Sequence, residues 1–184
     1  MMIKKINSCI KQPSFSIIEL MIVLSALTVL VAITVPRFLD LKKRALIHDL
    51  EYLSMVCSYL QQKAIASHKT LYLTFNQTNQ CYVYQGLKNK ITTIPLSSGI
   101  LFGFIEGVKG PPGDPTKAIT SSITFESEKQ EIYHITFFYD GKISPGTVYL
   151  VDTKKKFMGA LTCTLSQVSY IRKYLYNKIQ WTVL

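Results

Sequence analysis

The sequence predicts an α+β fold in which one long N-terminal α-helix, a transmembrane half followed by an amphipathic half, packs on an antiparallel β-sheet head. Three observations predict it. An apolar run of 21 residues, Phe15 to Val35, is closed by Pro36 and carries a single charge, Glu19. Helical apolar spacing continues past that proline to Ala64. From Leu71 onward the chain changes to alternating segments rich in β-branched and aromatic residues, separated by turn residues.

The first element is the apolar run. At a rise of about 1.5 Å per residue its 21 residues reach about 31 Å, close to the hydrocarbon thickness of a bilayer. No later stretch is both as long and as uncharged, so one crossing is expected. Lys4, Lys5 and Lys11 precede the run, as they would in a cleaved secretory signal, but the run is longer than a usual h-region and no small-residue cleavage site precedes Pro36. Arg37, Lys42, Lys43 and Arg44 lie on its other side, so the distribution of cations sets no orientation. Glu19 is the informative residue. A carboxylate at bilayer depth costs on the order of a few kcal/mol, so a counter-charge is expected, although its place near one end also lets it reach the headgroups.

The second element is an amphipathic helix. Leu39, Leu46, Leu50, Leu53, Cys57, Leu60 and Ala64 recur at steps of three, four or seven, with Lys42, Lys43, Asp49, Glu51 and Gln61 largely elsewhere. Pro36 is expected to bend the rod between the two halves, because its ring removes a backbone donor. The strands follow. Leu71–Phe75 and Cys81–Tyr84 read as a hairpin around the polar turn 76–80, and further strands are expected at 100–105, 119–125, 132–139, 147–151 and 159–165. The glycine- and proline-rich segment 107–115 reads as an irregular surface loop.

Residues 11 to 37, beginning Lys11-Gln12-Pro13-Ser14 and continuing through Phe15, Glu19 and the apolar run to Pro36, resemble the class III signal of type IV pilins and type II secretion pseudopilins. The resemblance implies a pilin-like fold and cleavage by a prepilin peptidase between Ser14 and Phe15, with N-methylation of Phe15. It divides the chain into a cleaved leader at 1–14, a transmembrane and filament-core helix at 15–36, an amphipathic helix at 37–68 and a β-rich periplasmic head at 69–184. It also implies that Glu19 meets the new amine of Phe15 in a neighbouring subunit and sets the filament register, in a poorly screened apolar surround. Pro36 matches the family's helix-bending proline. Within the head, Ile135–Gly141 followed by Pro145–Leu150 resembles the C-terminal hairpin of H-class minor pseudopilins.

Composition bounds the rest. The net charge is +10, and about +7 without the leader lysines, an excess that suits nucleic acid, anionic lipid or an acidic protein partner. Of the four cysteines Cys9 would leave with the leader, and Cys57, Cys81 and Cys163 form an odd, widely spaced set; a Cys81–Cys163 disulfide and three buried thiols both fit. His48, His68 and His134 lack metal-ligand spacing, and no nucleophile elbow, phosphate loop or dinucleotide fingerprint is present. The expectation is a non-enzyme with no cofactor and no metal. Near the C-terminus, Tyr170, Arg172, Lys173, Tyr174, Tyr176, Lys178 and Trp181 interleave cations with rings, a pattern suited to nucleic-acid contact at Arg172 and Lys173. Alternatively Ile171, Leu175 and Ile179 bury one face while the lysines are solvated.

The expected function is that of a minor pseudopilin of a type II secretion system, assembling into the periplasmic pseudopilus that drives protein export. A minor type IV pilin of pilus assembly or DNA uptake, or a single-span membrane protein with a binding head, are the alternatives. The expected location is the inner membrane, single-pass, with the N-terminus cytoplasmic and the head periplasmic. The expected partners are other pseudopilins or pilins, the prepilin peptidase, the inner-membrane assembly platform and the membrane itself.

Overall fold

The computed structural model describes residues 16–39, 41–86, 90–111, 115–129, 131–164 and 170–184. The chain forms two compact units, Met1–Asp40 and Leu41–Leu184. The leader 1–14 and both sides of the Ser14–Phe15 cleavage point lie outside the described residues.

The first unit holds helix α1, Ile17–Leu39. It starts at a capping box: the Ser16 amide donates to Glu19 Oε2 at 3.2 Å, and the Ile18 amide donates to Ser16 Oγ at 3.3 Å. The helix continues through Pro36 to Leu39. Among the described residues no helix is long and apolar enough to cross a membrane, which corrects the expected inner-membrane, single-pass location. The uncharged stretch of α1 is bounded by Glu19 in its first turn and by Arg37 near its end, and the 17 residues between them span about 26 Å, short of the roughly 30 Å of a hydrocarbon core.

The second unit is built on helix α2, Leu41–Ser67, and ten strands. Strands β1 (Leu71–Asn76), β2 (Cys81–Gln85), β3 (Ile91–Pro95), β5 (Glu126–Lys129) and β6 (Ile132–Phe137) form one sheet in the order β3-β2-β1-β6-β5. Strands β4 (Ile100–Phe102), β7 (Gly146–Asp152), β8 (Met158–Cys163), β9 (Ile171–Tyr176) and β10 (Trp181–Val183) form a second in the order β10-β9-β8-β7-β4. Every pairing is antiparallel.

The expected long N-terminal helix packed on one antiparallel head is therefore corrected to two separate helices and two antiparallel five-stranded sheets. The buried stripe of α2 explains why one sheet does not suffice. Leu46, Leu50, Leu53, Cys57, Leu60 and Ala64 are all 0 % exposed, and Asp49 and Val56 widen the buried face. The same core cluster takes Leu73 and Phe75 from the first sheet and Leu150, Leu161 and Leu175 from the second. Burying each such leucine contributes on the order of 1.5–3 kcal/mol. Phe75 joins the sheets, lying edge-on to Phe102 at 5.6 Å and stacked on Phe125 at 6.3 Å between ring centroids. At Ser97–Gly99 the chain turns from the edge of the first sheet to the edge of the second, with Gly99 at φ +83° and the Ile100 amide donating to the Ser97 carbonyl at 2.9 Å.

Three smaller expectations also change. The hairpin at β1 and β2 forms as read, with Leu73 opposite Tyr84 and Asn76 opposite Cys81. By contrast, the supposed C-terminal hairpin is split, because β6 belongs to the first sheet and β7 to the second. The strand expected at 119–125 is instead a covering segment that touches β7 through one bridge, Ile123 to Val148. Finally, the C-terminal stretch folds as β9 and β10, not as an element burying Ile171, Leu175 and Ile179 together; Ile179 is 86 % exposed in the turn between them.

The second sheet is covered on both faces. Leu161 and Leu175 point to α2, whereas Tyr149, Val151, Met158, Ala160 and Tyr174 form a second cluster on the far side. Phe104, Ile105, Val108 and Ile119, from the segment after β4, lie over that cluster. Cross-links within this cover run from the Gly110 amide to the Lys117 carbonyl at 2.9 Å and from the Ile119 amide to the Val108 carbonyl at 3.1 Å.

Candidate functional site

Helix α1 presents the first candidate surface. All side chains from Ser16 to Ala32 are exposed, with Ile17 at 78 % and Ile18 at 69 %, although most of them are large and apolar. Its few polar groups turn inward on the backbone. Ser25 Oγ donates to the Ile22 carbonyl at 2.8 Å, and Thr28 Oγ1 donates to the Leu24 and Ser25 carbonyls at 3.0 and 2.8 Å. What remains outward is a nearly uninterrupted apolar surface with one carboxylate at its start. Exposed apolar patches of this kind mark surfaces that other molecules cover. Phe15, the expected partner of Glu19, lies outside the described residues, and the side chain of Pro36 is likewise not described. The motif Ser16-x-x-Glu19 is a capping signature in the sequence, a role for Glu19 beside the pairing with Phe15 and the reach to headgroups expected there.

The basic and aromatic C-terminal stretch is the second candidate. Arg172 and Lys173 are consecutive residues of β9 and so point to opposite faces of the sheet. They do not form one cationic patch. Arg172 shares the outer face with Tyr174, and its positive centre stands 4.5 Å over the Tyr170 ring. The neighbouring Tyr174 side chain raises the Arg172 pKa above its ordinary value. Lys173 lies opposite Leu161, on the α2 side. The rings are committed as well: Trp181 donates through Nε1 to the Lys109 carbonyl at 2.9 Å, and its ring lies 5.2 Å from Tyr176 and 6.3 Å from Tyr149. Base stacking needs open ring faces, and Tyr149 and Tyr174 are buried in the outer cluster.

Above this face lies a groove of about 470 Å³ between the covering segment and the ends of β7, β8 and β9. Lys117 and Arg172 are the charged residues of its described wall. Threonine and serine hydroxyls line much of the remainder, and Thr164 Oγ1 is buried with no hydrogen-bond partner among the described residues.

The cysteines and histidines are placed clearly. Cys57, Cys81 and Cys163 are buried free thiols. The Cys81–Cys163 disulfide is thus corrected: Cys81 lies in β2 of the first sheet and Cys163 in β8 of the second, so their strands never meet. Instead Cys163 lies near Cys57 of α2. Burial first, and the Cys163 thiol second, push the Cys57 pKa well above its ordinary value, while burial pushes Cys163 up to about 12. His134 Nε2 stands 3.4 Å from Glu126 Oε2, and His48 Nδ1 stands 3.6 Å from Asp49 Oδ1. Among the described residues no three histidine, cysteine or acidic side chains are grouped to hold a metal ion.

One functional contact of the scaffold escapes sequence patterning. Asp49, on the buried side of α2, accepts from the Ser97 amide at 2.9 Å and from Ser97 Oγ at 2.6 Å, tying the crossover turn to the helix. Lys42 Nζ donates to the Ser98 carbonyl at 2.7 Å and fixes the same turn from the first turn of α2.

No protein family, curated protein or solved structure matches the chain on comparison.

Proposed function

We propose that the chain is a subunit of a pilin-like filament, of the minor pseudopilin kind that assembles into a type II secretion pseudopilus and drives protein export. The observation that carries this reading is α1: an apolar helix whose side chains are exposed from Ser16 to Ala32, with a carboxylate in its first turn. In a filament, the like helices of neighbouring subunits cover that surface. The Glu19 carboxylate then pairs with the amine that cleavage after Ser14 creates on Phe15 of a neighbour. Pairing in a low-dielectric surround favours the docked subunit over the free one, since separating the charges leaves each uncompensated. The residues 11 to 37 support the reading by their resemblance to the class III signal; the two-sheet head does not contribute to it. Other pilin-like subunits, a prepilin peptidase and an assembly platform are the partners it requires.

Co-expression with a prepilin peptidase tests it. The expected result is a peptidase-dependent loss of residues 1–14, read by intact mass, with a methylated Phe15 at the new N-terminus. An N-terminus unchanged by the active peptidase overturns the reading.

A further inference from the structure

We propose that the groove on the outer face of the second sheet binds a small sugar that carries an anionic group, either a carboxylate or a phosphate. The inference stands apart from the filament reading, because every residue it uses belongs to the second unit. Three properties of the groove carry it.

The first is charge. Lys117 and Arg172 face the groove and its described wall contains no acidic residue, so the field inside favours an anion. Arg172 is also partly pre-organised, because the Tyr170 ring lies beneath its guanidinium. Less side-chain freedom is then lost when an anion docks. The second is hydrogen bonding. Thr164 Oγ1 is buried beside the groove without a protein partner among the described residues, which is costly for a hydroxyl unless water or a ligand supplies one. The third is shape. A volume of about 470 Å³ lies in the range of small-molecule sites, and the threonine and serine side chains along its wall suit the hydroxyls of a sugar. Macromolecular nucleic acid fits less well, because Tyr149 and Tyr174 are packed in the outer cluster and Lys173 points to the other side.

Calorimetric titration of the full chain with galacturonate, glucose 6-phosphate, glucose, inorganic phosphate and a single-stranded oligonucleotide tests the proposal. The expected result is saturable binding of galacturonate or glucose 6-phosphate, with glucose and inorganic phosphate each at least tenfold weaker. Preference between the two anionic sugars identifies carboxylate or phosphate as the recognised group. Arg172→Gln and Lys117→Gln are each expected to weaken binding on the order of tenfold, as loss of a charge-assisted contact does, with melting temperature unchanged because both side chains are at the surface. Thr164→Val is expected to weaken binding without lowering the melting temperature, a combination that damage to the fold would not give. No saturable binding of either anionic sugar, equal binding of glucose, oligonucleotide binding tighter than both, or unchanged affinity in Arg172→Gln overturns the proposal.

Discussion

Single residues decide how the head closes. Gly159 of β8 faces α2, and a Cβ there would run into Leu50 Cδ1, with Leu50 Cγ at 3.3 Å and the Tyr174 carbonyl at 3.4 Å. Leu50 is fully buried, so it cannot swing into solvent. Gly159→Ala is expected to destabilise the head by about 1–3 kcal/mol in urea unfolding, and combining it with Leu50→Ala is expected to cost less than the two changes separately. The measurement is a double-mutant cycle, and strict additivity would contradict the packing described. Asp49 acts through polarity. Asp49→Ala leaves the Ser97 amide without its acceptor in a part-buried turn, for an expected loss of about 1–3 kcal/mol. Neither effect was readable from the chain alone. The spacing of α2 placed Leu50 on the buried face, but Asp49 beside it looked like a solvated charge, since its partner Ser97 is distant in sequence.

At the scale of elements, the start of α1 separates two roles of Glu19. Glutamine can replace glutamate in a capping box, so Glu19→Gln is expected to keep the helix start while removing the charge on which the proposed filament docking rests. Ser16→Ala does the reverse, removing the Oγ that accepts from Ile18 and fraying the first turn at a cost of about 1 kcal/mol. Hydrogen exchange at Ile17–Leu20 together with incorporation into fibres distinguishes them: the expected pattern is faster exchange in Ser16→Ala alone and poor incorporation in Glu19→Gln. Equal incorporation of Glu19→Gln and the parent would remove the charge-pairing mechanism. The helix itself was legible because a continuous apolar run is local information. Strands β9 and β10 were not, for Ile171, Leu175 and Ile179 recur at a helical step of four and suggested one buried face. The cross-strand ladder from Cys163–Ile171 to Met158–Tyr176 overrides that spacing and sends neighbouring residues to opposite sides. The candidate site shifted with it, from the pair Arg172 and Lys173 to Arg172 with Lys117.

For the molecule as a whole, burial of ionisable groups sets the response to alkali. Cys57, Cys163 and Tyr82 all have folded pKa values above their ordinary ones, each chiefly through desolvation. Between the unfolded and folded values the unfolded chain has released these protons and the native chain has not. The unfolded state therefore binds fewer protons, and stability falls as pH rises from about 9, by up to about 1.4 kcal/mol per pH unit for each group. Urea unfolding between pH 8 and 10.5 is expected to show this decline, with a shallower slope in Cys163→Ala; an identical slope would contradict the burial of that thiol. Sequence patterning reached the helix stripe, the first hairpin and most strand positions, because these rest on neighbours in the chain. It did not reach the division into two sheets, because pairing partners such as Leu101 and Val151 lie far apart along the chain. That division constrains how the head can form during synthesis. The chain lays down three strands of the first sheet, leaves for β4, returns for β5 and β6, and only then supplies the other four strands of the second. Strand β4 must wait some fifty residues for β7, so an emerging chain displays an unmatched edge and the inner side of α2 until its last third is made. Nascent heads are consequently vulnerable to mispairing with one another, and shortened chains that stop before β7 are expected to accumulate as aggregates instead of half-folded monomers.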